Sequence, residues 1–177
     1  MDNSRVVFVL DGHDGAGKTT LAGLLANKLN AIHVRPFSGD IGSTLIRLAH
    51  EKKFLETSEW GLQAVKSIFK AYPNETLVFD RHWMTVFTLI PEIYWHQWMP
   101  LPPTVLCWAD FLSTLVRTGS RQEAQYSEAY HRYYLDKYKD LANQFNCYLL
   151  DTSHKKSEES LYDLLSWTEN HKTKYIK

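Results

Sequence analysis

The chain is poor in the residues that staple small proteins. Its 177 residues include two cysteines, Cys107 and Cys147, each set in an apolar stretch. Two thiols 40 positions apart cannot form a disulfide framework or a cysteine-rich zinc site, and they read as reduced core residues. Charge of one sign is also missing: 20 Lys plus Arg balance 20 Asp plus Glu. A dedicated nucleic-acid binder would carry a basic excess. No apolar run approaches the roughly 18 residues of a membrane span. The first run, 6–10, is too short for a secretory core, so the expected setting is cytoplasmic. Only eight glycines and six prolines punctuate the chain, and no repeat or linker interrupts it. With 44% apolar and 23% charged residues it is not a disordered chain. At roughly 150 residues per domain, residues 1–177 are expected to form one domain.

Five apolar runs of strand character, at 6–10, 31–35, 76–80, 104–108 and 147–150, alternate with helical patterns. The helices are expected at 19–29, at 41–52 behind a capping Asp40, at 58–72, from 111 to 116, at 127–145 and at 157–170. The segment 83–98 resists assignment, because Pro91 breaks it, and 118–125 is polar and turn-like. Continuous rather than alternating apolar strands suit a parallel sheet covered on both faces. The expected fold is therefore α/β: a three-layer P-loop NTPase fold with a five-stranded parallel sheet, helices on both faces and a small lid at about 117–126.

Residues 12–19 read Gly-His-Asp-Gly-Ala-Gly-Lys-Thr, a match to G-x-x-x-x-G-K-[ST]. A strand precedes it and a helix follows. Gly12, Gly15 and Gly17 let the backbone curl so that N–H groups converge on phosphate oxygens, and the helix N-terminus adds its dipole. Lys18 supplies a point charge to the β- and γ-phosphates, and the Thr19 hydroxyl can hold Mg²⁺. Ala16 and Thr20 complete the ATP-binding set. The run 76–80 ends in Asp80-Arg81. Asp80 can serve Mg²⁺. Arg81 is a cation and cannot be the water-activating base of a motor, but it can grip a second phosphate. A guanine-reading switch is disfavoured too, since Asn27-Lys28-Leu29-Asn30 ends in the wrong residue and lies in the first helix. Arg117 and Arg121 flank Thr118-Gly119-Ser120, with Arg132 in the next helix. Mobile arginines of that kind can close on a transferring phosphoryl group.

The stretch from Val9 to Thr20 resembles the first strand and P-loop of the thymidylate kinases. Arg47 in Ile46-Arg47-Leu48 is similar to a helical arginine that holds the acceptor phosphate in that family. Asp80-Arg81-His82 resembles its Asp-Arg-Tyr motif, and Tyr138-Lys139-Asp140-Leu141-Ala142 resembles a stretch after its lid. Leu150 to Ser153 falls where the family's adenine loop lies. The resemblance implies a nucleoside monophosphate kinase using ATP and Mg²⁺. In it Asp14, Arg47, Arg81, Phe37 and Tyr138 face the acceptor, and Lys18, Asp14, Arg81, Arg117 and Arg121 serve catalysis. Its partner is a small nucleotide-like substrate, with homodimerisation open.

Two departures bear on the acceptor. Trp60 to Lys66 lacks the family's base-reading arginine, and 83–88 lacks its glutamine. The aromatic residues of 83–98 can stack a flat ring but read first as core or dimer packing. For the acceptor, either pyrimidine monophosphates are broadly tolerated or the pocket is remade around those residues, and the second is the favoured expectation. A kinase acting on a hydroxyl, with Asp14 or Asp80 taking the proton, and a non-catalytic ATP-gated binding protein are the rival readings.

Overall fold

A computed structural model describes residues 5–120, 126–171 and 174–175. The strands are β1 (Arg5–Asp11), β2 (Ile32–Val34), β3 (Leu77–Asp80), β4 (Thr104–Trp108), β5 (Tyr148–Asp151) and β6 (Lys174–Tyr175). The helices are α1 (Lys18–Leu29), α2 (Asp40–His50), α3 (Phe54–Ala71), α4 (Trp83–Phe87), α5 (Phe111–Gly119), α6 (Glu128–Gln144) and α7 (Ser157–Asn170), with a 3₁₀ turn at Glu92–Trp98. Five strands run parallel in the order β2-β3-β1-β4-β5. The two-residue β6, which sequence patterning does not single out, pairs antiparallel with the start of β1. No helix among the described residues is long and apolar enough to cross a membrane.

The strand pattern explains the layers. Val7, Val9, Leu77 and Phe79 face one side, where they pack with residues of α2, α3, α4 and α6. Phe8, Leu10, Val78 and Cys107 face the other, against α1 and α7. Both faces of the central strands β1, β3 and β4 are apolar because both are covered. The strand order diverges at β1, which continues to β3 on one flank and β4 on the other. The crevice beyond the carboxyl ends of such strands is where an open α/β sheet binds ligands.

Several elements differ at their ends from expectation. Gly39, not Asp40, caps α2, and α3 begins at Phe54. Helix α5 continues past the expected 116 through Gly119. Of the expected lid, Arg121 lies outside the described residues.

The aromatic segment 83–98 follows the packing expectation, and the expectation of a pocket built around its rings fails. Trp83 and Trp98 are wholly buried in the core. Trp83 Nε1 donates to Thr104 Oγ1 at 2.8 Å, and Trp98 Nε1 to Ser58 Oγ at 3.1 Å. Trp95 stacks on Phe87 with centroids 4.5 Å apart. These rings fill the layer between sheet and helices, and none lines the cavity beside Arg81.

Candidate active site

The loop between β1 and α1 is shaped by two glycines. Gly12 has φ +142°, and a Cβ there would overlap the Cys107 carbonyl oxygen of β4. Gly17 caps α1 in the left-handed region at φ +79°, open to the outside. The first N–H groups of α1 lack intrahelical partners and point into this turn. Lys18 is buried and its Nζ donates to the His13 carbonyl at 2.6 Å, a contact that a phosphate oxygen can replace. Burial, with Arg81 nearby, pushes the Lys18 ammonium down to about 8, which still leaves it mostly charged at neutral pH.

Asp80, at the carboxyl end of β3, accepts from Thr19 Oγ1 at 2.6 Å. Arg35 Nε lies 3.3 Å from the same carboxylate oxygen. A hydroxyl and a carboxylate in contact are hard oxygen donors that suit Mg²⁺, which takes few protein ligands and completes its shell with water and phosphate. Among the described residues no cluster of three or more His, Cys, Asp or Glu could hold a metal ion. Arg35, not foreseen from sequence, borders the cleft formed by Asp14, Gly15, Lys18, Thr19 and Asp80.

Arg81 bridges this cleft to a second space. Its guanidinium pairs with Asp14 and also donates to the Gly12 carbonyl at 3.2 Å and to Tyr138 Oη at 3.3 Å. The backbone holds Arg81 at φ +76°. Asp11 supports that turn: its buried carboxylate accepts from the N–H groups of Gly12, His82 and Thr85 and from Thr85 Oγ1. Asp11 went unremarked in the sequence, although an acid ending an apolar strand just before a glycine loop was the available signal.

Behind Arg81 lies a cavity of about 280 Å³. Phe37, Asp14 and Tyr138 line it. Arg47 does not. On α2 it is Gly42, Leu45, Ile46 and His50 that face the cavity, while the Arg47 guanidinium pairs with Glu51 at 2.9 Å on the exposed side. No residue of Trp60 to Lys66 lines it either. The wall is built instead by His13 and by Tyr126, Tyr130, Tyr134 and Tyr138. The four tyrosines recur at i, i+4 up to and along α6 and so share one side of it. That i, i+4 spacing is the sequence signal for the wall.

On the opposite side of the loop a cleft of about 380 Å³ is bordered by Gly15, Gly17, Thr20, Arg117, Thr152 and Lys155. Arg117 spans from α5 to the loop after β5. It donates to the carbonyls of Gly15 at 3.1 Å and Ser153 at 3.2 Å, and to the hydroxyl of Thr152 at 3.0 Å. Ala16 is buried, its carbonyl accepting from Thr152 Oγ1 at 3.2 Å. Arg117 thus ties the phosphate loop to the β5 loop. Arg132 sits over the Phe111 ring at 3.6 Å, outside all three spaces.

No family model matches the chain, and no curated protein matches it in sequence. Solved structures do match in shape. A thymidylate kinase from Candida albicans aligns with TM-score 0.70 at 14% identity, over 98% of this chain and 96% of that one. Deoxyadenosine kinase from M. mycoides with bound dATP gives 0.64 at 13% identity, over 93% and 100%. The YorR protein of Bacillus subtilis, in complex with phosphorylated GDP, gives 0.60 at 14%, over 93% and 96%. The parallel sheet, its strand order and the loop between β1 and α1 give this chain the P-loop fold that the thymidylate kinase and the other two structures share.

Proposed function

We propose that the chain, acting as a single domain, is an ATP-dependent phosphotransferase whose acceptor is a nucleoside monophosphate of the pyrimidine type. The observation that carries this reading is the Arg81–Asp14 pair, which borders both the phosphate-loop cleft and the ring-lined cavity. A donor on one side and an acceptor on the other would meet at that pair. Proximity of this kind supplies much of the rate in phosphoryl transfer, where the protein's task is positioning and charge stabilisation.

The residues divide the work. The loop N–H groups and Lys18 hold the donor's β- and γ-phosphates. Thr19 and Asp80 would hold Mg²⁺, which supplies Lewis-acid polarisation of the phosphoryl oxygens when bound. Lys18 and Arg81 offset the charge that spreads over the equatorial oxygens. Arg117 braces the donor side, and Arg121, which lies outside the described residues, is kept as a catalytic candidate from the sequence resemblance. A phosphate acceptor needs no general base.

One observation favours a second reading. Among the described residues Arg81 is the only lysine or arginine lining the acceptor cavity, and it is already paired with a carboxylate. A hydroxyl acceptor would find a base in Asp14. Both readings are tested by incubating the protein with ATP, Mg²⁺ and nucleosides or their 5′-monophosphates and weighing the products by mass spectrometry. A phosphorylated product with stoichiometric ADP is expected. ATP turnover with no phosphorylated acceptor across the panel would overturn both.

A further inference from the structure

His13 sits at the second position of the phosphate loop and faces two ways. Its carbonyl receives Lys18 Nζ, while its ring lines the acceptor cavity. That ring is held on three sides. It lies parallel to Tyr134, with centroids 5.7 Å apart and planes 5° apart. Tyr130 is tilted against it at 5.8 Å. Its Nε2 is 2.8 Å from Nδ1 of His131, a buried residue of α6 that does not itself line the cavity. The remaining ring atom with hydrogen-bonding capacity, Nδ1, has no partner among the described residues.

Burial drives the His13 imidazole down to about 4, with Lys18, His131 and Arg81 adding to the effect and Asp14 opposing it. At neutral pH the ring therefore carries one proton on two nitrogens. The bond to His131 allows two neutral arrangements. If Nε2–H donates to His131, His13 Nδ1 is a bare acceptor. If His131 Nδ1–H donates instead, His13 Nδ1–H is a donor. Neither arrangement leaves the buried His13–His131 contact unsatisfied, so neither incurs the cost of an orphaned polar group.

We propose that His13 reads the edge of the acceptor's ring through Nδ1, and that His131 is a positioning residue that fixes its plane and sets its tautomer. The ligand class is a flat heteroaromatic ring bordered by the Tyr130 and Tyr134 side chains. A reader with two tautomers accepts either a hydrogen-bond donor or an acceptor on that edge. A fixed reader such as arginine offers only donors, and sites of that kind reject the wrong edge by factors of about 10⁴. Here a ring with an amino edge and one with a keto edge should differ by no more than about tenfold. The inference rests on the kinase reading above only in calling the occupant an acceptor.

The test combines binding and turnover. Ring nitrogen-15 spectra of the ATP-free protein are recorded while uridine, cytidine and their monophosphates are added. The His13 Nδ1 resonance should move in opposite directions for the uracil and cytosine rings. In turnover assays with ATP and Mg²⁺, His13→Leu should raise the acceptor KM at least about tenfold and leave the ATP KM within about twofold. His131→Phe should do the same with His13 still present. His131→Gln, whose amide donates or accepts, should recover most of the loss. A His13 resonance indifferent to every ring overturns the assignment, as does His131→Gln behaving like His131→Phe. Ring-dependent shifts without any phosphoryl transfer would overturn the kinase reading and leave the ring-reading role standing.

Discussion

The two sides of Arg81 are built on different plans. The phosphate-loop side is made by backbone and by residues close in sequence: eight consecutive positions, one helix N-terminus, and Asp80 at the end of an adjacent strand. The cavity side is made by side chains from the loop, α2, α4 and α6, brought together only by the fold. A site encoded by local backbone geometry can be read as a string. A site encoded by side-chain convergence depends on helix phase and on which face each helix turns inward.

The sharpest way to break that comparison is at the shared chemistry. Lys18→Ala should keep the circular dichroism spectrum and lower turnover by at least about a hundredfold, as loss of a transition-state charge contact implies. Near-normal turnover would remove the loop from the chemistry. Arg81→Ala should raise the acceptor KM by about tenfold or more while ATP affinity stays within about threefold, since its fixed partners face the cavity wall. Separate titrations of ATP and acceptor decide it, and an ATP-selective loss would move Arg81 to the donor side.

A gentler probe uses acidity. His13 titrates near 4 in the folded protein and near 6.5 when exposed. Between those values the unfolded chain binds the extra proton, so stability is full above about 6.5, falls as pH drops toward 4, and levels off below. The slope for one such group is at most about 1.4 kcal/mol per pH unit. Denaturant midpoints measured from pH 7 to pH 4.5 should fall more steeply for the parent than for His13→Gln, and equal slopes would place the imidazole in water. The smallest effect is expected at Arg47. Its guanidinium is exposed and paired with Glu51, so Arg47→Ala should change acceptor and ATP KM by less than about twofold. A large change would mean that α2 turns when substrate arrives.

The same contrast explains what the sequence showed. The parallel sheet was legible because every central strand is apolar on both faces, and the loop because its glycines and lysine are contiguous. Asp80 and Arg81 were legible because they end a strand. Arg47 was misplaced because Ile46, its neighbour one residue away, owns the inward face, and a helix rotates by about 100° per residue. The tryptophans are ambiguous for a different reason. Large rings serve cores and pockets alike, and only the partners Thr104 and Ser58 reveal that Trp83 and Trp98 are spent inside the core. The tyrosine series on α6 carries a usable signal, but His13 in the wall and the His131 ring behind it are 118 positions apart and share no pattern.

The left-handed backbone at Arg81 is strain held in place by contacts. A side chain other than glycine held there costs roughly 1–2 kcal/mol, and the Asp11 carboxylate keeps the turn in place despite it. Glycine at this position would relax the backbone, but it would also remove the guanidinium that bonds Asp14, the Gly12 carbonyl and Tyr138. Leaving those groups without it costs at least as much as the strain relieved. A library screened only for survival on heating should therefore keep the arginine, so that endurance and phosphate binding select the same residue.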